Sequence, residues 1–194
     1  MHWNEGVVND IRSEIQAIYE QRATKQYGLS AVNQQQHALQ SAAMAEKQGE
    51  PASMIVAALV HDIGHMVHDL GEDPASVGVD DLHEELGAHW LGSRFGADVT
   101  EPVRLHVPAK RYLCAVDPTY FGQLSPDSVR SLALQGGPMT TEEVREFEKH
   151  PFAQSAVRLR RLDEAAKDPS AVTPPVAHFM KYVDEVLTGA GPRR

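Results

Sequence analysis

A histidine and an aspartate stand side by side at the end of a strongly apolar stretch of this chain. The stretch covers residues 51–60, in which Met54 and Leu59 are accompanied by alanines, valines and an isoleucine, and His61 and Asp62 follow directly. A continuous apolar run with only a narrow polar face predicts a buried helix. We therefore expect this helix to carry an imidazole and a carboxylate, both ligands of metal ions, into the interior.

Three more histidines turn this pair into a candidate metal site. His37, His61, His83 and His106 are 24, 22 and 23 residues apart, and they fall on four different predicted helices. A helical bundle can direct one residue from each helix into a common interior, and many metal sites in bundles are built in this way. The alternative is that each histidine only caps a helix or fills the core.

Two aspartates complete the candidate set of ligands. Asp62 and the later Asp163 bring the set to four imidazoles and two carboxylates, which is more than one ion takes from protein while leaving room for a substrate. The sequence therefore predicts two ions with Asp62 between them. Imidazole and carboxylate ligands suit iron, zinc, cobalt or manganese, and affinity alone does not choose among these metals.

Apolar residues recur at helical spacing through most of the chain, and no stretch shows the alternation of a strand. The prediction is an all-helical bundle formed by a single domain over residues 1–188, with an N-terminal helix near 8–22, a metal-binding core over 27–167, a C-terminal helix over 174–187 and a flexible tail at 189–194. Pro108 and Pro118 interrupt residues 107–121, so we expect an irregular segment there.

The charge balance and the single cysteine limit the classes of function. The chain has 18 Lys and Arg against 27 Asp and Glu, a net charge of −9, which disfavours a nucleic-acid partner because binding to a phosphate backbone needs a basic surface. Cys114 alone forms no internal disulfide and no cysteine-based zinc framework. Because we find neither a signal-peptide pattern nor an apolar run of about 20 residues, we expect a cytoplasmic protein without a membrane partner.

The order of the candidate ligands resembles that of the HD-domain superfamily of helical metalloproteins, in which a histidine, a His–Asp pair and a late aspartate hold a metal. Here those positions are His37, His61, Asp62 and Asp163. The two further histidines resemble the subset of the superfamily that holds two metals. The fold that the resemblance implies is an HD-domain helical bundle with a buried dinuclear site.

A closer match lies in the stretches around these ligands. They are Tyr27 and residues 33–37 (NQQQH), 61–65 (HDIGH), 83–84 (HE), 106–113 (HVPAKRYL), 119–121 (TYF), 135–139 (QGGPM) and 159–163 (LRRLD). Together they resemble the HD-type mixed-valent di-iron oxygenases that cleave the carbon–phosphorus bond of 1-hydroxyphosphonates. The combined set is far more specific than the superfamily motif alone.

This resemblance implies a cofactor and a reaction. The implied cofactor is two iron ions, active as an Fe(II)/Fe(III) pair and held by His37, His61, Asp62, His83, His106 and Asp163, with Asp62 bridging. The implied co-substrate is O2, and oxygenation of a small organophosphonate at C1 then releases phosphate and leaves a carboxylic acid. The resemblance also implies that a separate oxygenase adds the 1-hydroxyl group beforehand.

A phosphonate dianion also needs fixed positive charge. Lys110 lies four residues after His106, on the same helical face if the helix continues. Arg160 lies about one helical turn before the last candidate ligand. By resemblance, Lys110, Arg160, His65 and Ser128 bind phosphonate or hydroxyl oxygens.

Two further positions carry the hypothesis about the substrate. Tyr27 matches a tyrosine that, in this family, occupies the iron until substrate arrives, so Tyr27 and His65 are the candidate catalytic residues. Ser30, a candidate substrate-binding residue, stands where amine-specific members have a glutamate that pairs with a primary ammonium, and a serine cannot supply that charge-assisted bond. We therefore expect (1R)-1-hydroxy-2-(trimethylammonio)ethylphosphonate as substrate, giving glycine betaine and phosphate. The alternatives are 2-amino-1-hydroxyethylphosphonate and hydroxymethylphosphonate.

Two other classes of function stay open. An HD-type phosphohydrolase would use metal-activated water to release phosphate from an ester, and it would need only the ligands at positions 37, 61, 62 and 163, which leaves His83 and His106 without a task. A regulatory HD domain without activity is the second class, and the complete set of ligands argues against it.

Overall fold

The computed structural model describes residues 5–25, 29, 31–67 and 78–189. Helices are the only regular secondary structure among these residues, which confirms the all-helical prediction. In chain order they are α1 (Glu5–Gln21), α2 (Gln34–Lys47), α3 (Ala52–Val60), α4 (Gly64–Val67), α5 (His83–Gly92), α6 (Ala97–Val116), a 3₁₀ helix (Phe121–Gln123), α7 (Pro126–Leu134), α8 (Thr141–Glu148), α9 (Ala153–Ala165) and α10 (Val176–Gly189).

The apolar helix α3 lies at the centre of the bundle. Its residues 54–60 are all buried, and it packs against α2, α6, α9 and α10. A helix that is apolar on every side is stable only when neighbours surround it, and each fully buried Leu, Val, Ile or Met side chain contributes about 1.5–3 kcal/mol. The predicted buried helix is confirmed, and its end fixes the place where His61 and Asp62 lie.

Capping side chains begin α2, α7 and α8. The Ser125 side chain accepts the backbone N–H of Ser128 at the start of α7, and a capping box begins α8. Asn33 and Gln36 form a second capping box at α2, each side chain accepting the backbone N–H of the other residue. These contacts satisfy backbone donors that have no partner inside the helix, so α2 begins at a defined residue.

The prediction of an irregular segment over residues 107–121 is wrong in its first half, because α6 continues to Val116. Pro108 inside a helix removes one backbone hydrogen bond and costs about 3 kcal/mol. Packing of α6 against α3, α5 and α9 outweighs this local cost. The continuous helix holds His106 and Lys110 at a fixed distance from each other.

The turn after α3 corrects a second expectation. The helix ends at Val60, so His61 and Asp62 lie in the turn before α4 and not on the apolar helix itself. A Cβ atom at Gly64 would lie 1.9 Å from the carbonyl oxygen of His83 and 2.6 Å from its carbonyl carbon. Only glycine fits there, and this close approach presses the turn against the first residue of α5.

The ends of the terminal helices differ by one to three residues from the predicted bounds. The last helix begins at Val176 because a residue that precedes a proline disfavours helical dihedrals, which excludes Pro174. Gly189, predicted to begin the tail, ends α10, and residues 190–194 lie outside the described residues. The division into one domain stays a prediction. Among the described residues, we find no helix with the length and apolar content that crossing a bilayer would require.

We expect Gly64→Ala to destabilise the protein by about 2 kcal/mol or more, because overpacking of a tight contact costs about 1–3 kcal/mol or more and the neighbour here is backbone. The matched control is Gly92→Ala in α5, where a Cβ meets no heavy atom within 4 Å. The free energy of unfolding, measured by denaturant titration of both variants, checks the prediction. Equal stability of the two variants would contradict it.

Candidate metal centre

The first group of ligands lies where α2, the turn after α3 and α9 meet. His37 and His61 point their Nε2 atoms at each other across 3.1 Å. Asp163, on α9, brings its Oδ1 to 3.2 Å from Nε2 of His37 and 3.9 Å from Nε2 of His61. All three side chains are buried, and their ligand atoms lie close enough together to hold one metal ion.

The second group lies beside the first, where the turn meets α5 and α6. The Nε2 atoms of His83 and His106 are 3.2 Å apart, and Oδ1 of Asp62 lies 3.7 and 3.6 Å from them. The ring of His65 stacks on that of His83, with 3.9 Å between the ring centroids. Asp62, His65 and His83 also present ligand atoms close enough together for one ion.

Asp62 stands between the two groups. Its Oδ1 faces the second group and also lies 3.5 Å from Nε2 of His61, and its Oδ2 lies 3.6 Å from Nε2 of His37. Burial opposes ionisation of this carboxyl, but the charges of the surrounding histidines outweigh burial and lower the pKa of Asp62. A carboxylate whose two oxygens reach both groups can bridge two ions.

Each of the four imidazoles is held by an oxygen acceptor at its Nδ1 atom. The acceptors are the carbonyl of Ala166 for His37 (2.8 Å), that of Ala58 for His61 (3.0 Å), that of Val103 for His106 (2.7 Å) and the Asp81 carboxylate for His83 (2.9 Å). A neutral imidazole carries one proton, so a proton on Nδ1 leaves the lone pair of Nε2 for a metal ion. This set of donor atoms therefore fits metal binding.

Burial and the local hydrogen bonds set different pKa values for these imidazoles. Burial lowers the pKa of His61 and, with the charge of His83 added, lowers that of His106 much further. Burial also opposes charge on His83, but its hydrogen bond to Asp81 prevails and raises the pKa of His83 to about 9. The carboxylate at Nδ1 thus makes His83 the more basic ligand of its pair.

A cavity opens beside both groups of ligands. Its walls include the side chains of His37, Asp62, His83, His106 and Asp163. The same cavity is lined by cationic and hydroxyl side chains, which are those of Lys110, Arg160, Lys167, Ser128 and Ser131. An anion that enters this cavity meets both positive charge and the candidate metal ligands.

Arg160 is buried and held on several sides. Its Nε donates to the hydroxyl of Tyr120 at 2.8 Å, and its Nη2 donates to Oγ of Ser128 at 3.1 Å. The guanidinium also pairs with the carboxylates of Asp163 and Glu164. These contacts fix the orientation of its planar guanidinium group beside the cavity.

Lys110, Arg160 and Lys167 form a positively charged side of the cavity, which we call the cationic wall. Lys110 donates from Nζ to Oγ of Ser131 at 2.8 Å, and burial is the main cause that lowers the pKa of Lys110 to about 7. Lys167 places its Nζ 3.0 Å from Oγ of Ser128 and 3.1 Å from Oε2 of Glu164. Each cation is therefore bound to a hydroxyl group at the cavity wall.

The structure brings the six predicted metal ligands together in two adjoining groups. The predicted substrate-binding residues that it describes line the same cavity, and they are His65, Lys110, Ser128 and Arg160. Tyr27 and Ser30 lie outside the described residues, so their places relative to the cavity stay predictions.

Lys167 and Asp81 belong to this site, although the sequence analysis passes over them. Lys167 follows Asp163 by four residues and Arg160 by seven, a helical spacing that could have indicated a shared face. Asp81 binds Nδ1 of His83 through one oxygen and Nδ1 of His65, at 2.6 Å, through the other. No periodic pattern marks Asp81, because it lies in a segment without regular structure.

Three known proteins resemble the chain over most of its length. The [1-hydroxy-2-(trimethylamino)ethyl]phosphonate dioxygenase (glycine-betaine-forming) of Leisingera caerulea is 44% identical over 173 residues, which cover 89% of this chain and 88% of the relative. The hydroxymethylphosphonate dioxygenase of Gimesia maris is 45% identical over 158 residues, covering 81% and 79%. An uncharacterized protein of Acanthamoeba polyphaga mimivirus is 30% identical over 187 residues, covering 95% and 84%. No protein-family model matches the chain.

An all-helical bundle with buried histidines and aspartates at its centre defines a metalloprotein of the HD-domain class. Within that class, the chain belongs to the family of phosphonate dioxygenases, whose members from Leisingera and Gimesia are 44% and 45% identical to it over the matched residues. The resemblance found in the sequence motifs is thus confirmed.

We expect Asp81→Asn to weaken the binding of a divalent metal ion about 10- to 100-fold, the usual effect of losing a hydrogen-bond partner behind a metal ligand. An asparagine offers one acceptor oxygen, so His65 and His83 cannot both keep theirs. The matched control is Asp80→Asn. The Asp80 carboxylate accepts the backbone N–H of Leu82 (3.4 Å), and the amide oxygen of an asparagine can accept the same N–H. Anaerobic competition with a chelator measures both affinities, and equal values would contradict the prediction.

Proposed function

We propose that this protein is an iron- and O2-dependent oxygenase that cleaves the carbon–phosphorus bond of a 1-hydroxyphosphonate. The proposed substrate is (1R)-1-hydroxy-2-(trimethylammonio)ethylphosphonate, and the products are glycine betaine and phosphate. One O2 per substrate balances the reaction: C1 loses its bonds to hydrogen and phosphorus and becomes a carboxylate, and phosphorus leaves as phosphate. No external reductant is needed.

The observation that carries this proposal is the shared cavity. His37 and Asp163 of the first group and His83 and His106 of the second line it together with Asp62, Lys110, Arg160 and Lys167. A hydrolytic HD site needs only the first group and Asp62, whereas here His83 and His106 form a second group around the same carboxylate. Room for two ions beside a cationic wall supports oxygenase chemistry on a phosphonate over ester hydrolysis.

The six ligands would hold two iron ions, with Asp62 between them, and bound iron would supply the activation of O2 that side chains alone cannot perform. The chain's own residues do the rest. Buried acceptors at the Nδ1 atoms keep the histidines in one tautomer and one orientation. Because the ligands come from α2, α5, α6, α9 and one turn, the bundle fixes where the substrate carbon must lie.

The cationic wall would bind the phosphonate group. Arg160 presents an oriented guanidinium, and Lys110 and Lys167 add ammonium groups, each held by a serine hydroxyl. Ser128 lines the same wall, where its own hydroxyl donates to Glu164. His65 stacks on a ligand histidine of the second group and donates from Nδ1 to Asp81, so a hydrogen bond from its Nε2 to a phosphonate oxygen requires the imidazolium form. A dianion held in this way directs C1 toward the candidate metal centre.

The substituent at C2 selects among the related substrates. The name of the Leisingera relative specifies a trimethylamino substrate, and the name of the Gimesia relative specifies hydroxymethylphosphonate. Both support 1-hydroxyphosphonate chemistry in this chain, and Ser30 in place of a glutamate favours a substrate without a primary ammonium. Hydroxymethylphosphonate is therefore the second candidate substrate. In either case, a separate reaction must add the 1-hydroxyl group to the substrate. Tyr27 would occupy the iron until the substrate binds.

The proposed function predicts equal amounts of O2 consumed and phosphate released when the anaerobically prepared, iron-loaded protein meets its substrate. The substrates to compare are racemic 1-hydroxyphosphonates that carry trimethylammonium or primary ammonium at C2, and hydroxymethylphosphonate. We expect the trimethylammonium compound to give the highest kcat/KM. An oxygen electrode and a phosphate assay provide the two numbers. Phosphate released from esters without O2 uptake would contradict the proposal and identify a hydrolase.

The cationic wall predicts that Lys167→Met lowers kcat/KM for the phosphonate about 10- to 100-fold, because a hydrogen bond to a charged group contributes about 1.5–3 kcal/mol. The matched control is Lys149→Met, whose native side chain is 68% exposed and pairs with Glu146 on the surface. Steady-state kinetics on both variants checks the prediction. A Lys167 variant as active as the Lys149 variant would remove Lys167 from the site.

A further inference from the structure

Gln34 is a polar residue of the cavity that the proposed chemistry does not yet use. It is the first residue of α2, its side chain is completely buried, and it lines the same cavity as the candidate metal ligands. Its backbone N–H donates to the carbonyl of Lys25 at 3.0 Å, so the backbone position is fixed.

The orientation of the Gln34 amide follows from its neighbour. The Nε2 group lies 3.3 Å from Oδ2 of Asp62, and an ionised carboxylate only accepts hydrogen bonds. The amide must therefore turn its nitrogen toward Asp62 and its oxygen away from it. With this orientation fixed, the carbonyl oxygen becomes the free end of the side chain.

That carbonyl oxygen has no hydrogen-bond partner in the part of the chain that the structure describes, although it is buried. Buried amide oxygens are normally paired, because leaving one unpaired loses the hydrogen bond that it makes to water in the unfolded chain. In a residue that lines a cavity, the missing partner is supplied by what enters the cavity. We therefore expect the carbonyl oxygen of Gln34 to accept a hydrogen bond from an O–H or N–H group of a ligand.

The proposed substrate has one such donor. A phosphonate dianion and a trimethylammonium group carry no O–H or N–H, so the 1-hydroxyl group is the only donor on the molecule. The hydroxyl sits on the carbon that is oxidised, and Gln34 is bound to the carboxylate between the two ligand groups. The 1-hydroxyl group of the substrate and the carbonyl oxygen of Gln34 would therefore lie at the same end of the cavity.

We propose that the Gln34 carbonyl oxygen accepts a hydrogen bond from the 1-hydroxyl group of the substrate and so makes the site specific for 1-hydroxylated phosphonates. This inference rests on the proposed function and adds a specificity-determining residue to it. The cationic wall binds any phosphonate, whereas Gln34 distinguishes the hydroxylated compound from its precursor. A site built to pair a hydroxyl group discriminates strongly against the analogue that lacks it, because its own polar group then stays unpaired.

The test compares two ligands on anaerobic, iron-loaded protein by titration calorimetry. The ligands are 1-hydroxy-2-(trimethylammonio)ethylphosphonate and 2-(trimethylammonio)ethylphosphonate, which differ only in the hydroxyl group. Wild-type protein should bind the hydroxylated compound more tightly, and Gln34→Met, which keeps the length of the side chain, should reduce this preference at least tenfold. Gln34→Glu keeps an acceptor oxygen and should retain a preference for the hydroxylated compound even if both affinities fall.

Gln35→Met is the matched control, since the neighbouring glutamine does not line the cavity, and it should leave both affinities unchanged. Metal content is measured on every variant, so that an altered metal centre is not mistaken for an altered ligand contact. A purely structural role of Gln34 would lower both affinities by the same factor, and this result would overturn the inference.

The two proposals fail in different ways. If wild-type protein consumes O2 and releases phosphate but the Gln34 variants keep the full preference for the hydroxylated ligand, only the inference about Gln34 is wrong. If wild-type protein binds neither phosphonate and consumes no O2, the proposed function is wrong and the inference is overturned with it.

Discussion

The backbone of Gly64 lies against the carbonyl group of His83, and the geometry of the candidate metal centre depends on this contact. Gly64 begins α4 directly after the turn that carries His61 and Asp62, so the contact sets the distance between the first group of ligands and the second. Gly87 approaches from the following helical turn, where a Cβ would lie 3.3 Å from the Gly64 nitrogen. Gly64 and Gly87 thus allow α5 to come close to the turn. As a result, His83 at the start of α5 and His61 in the turn both lie near the carboxylate of Asp62.

The orientation of the ligands is tied to the same backbone. His61 and His106 each donate from Nδ1 to the carbonyl three residues earlier in their own segment, and His37 donates to the carbonyl of Ala166, just after α9. Secondary structure supplies these acceptors, so a helix that shifts also turns the imidazole bound to it. In this bundle, the packing of the helices therefore determines the direction in which the Nε2 lone pairs of the ligand histidines point.

The spacing of the candidate ligands predicts that they converge, because an interval of 22–24 residues equals about one helix and its connection in a bundle. The prediction from sequence fails at Pro108, where the continuation of α6 depends on packing with α3 and α9, far away in sequence. It also misses Asp81 and Gln34. The hydrogen bond of Asp81 to His83 and that of the Gln34 side chain to Asp62 exist only in the folded chain, and no sequence pattern announces them.

Charge inside the cavity argues for an anionic ligand even though the chain as a whole is acidic, with a net charge of −9. Buried charges are costly unless they are paired. Arg160 has two carboxylates as partners, whereas Lys110 donates to the hydroxyl of Ser131 and has its pKa lowered to about 7 by burial, with the charge of Arg160 adding to the effect. The positive charge of Lys110 is therefore the less compensated of the two. A phosphonate dianion supplies the missing negative charge, which explains why a cationic wall can persist beside a cluster of histidines.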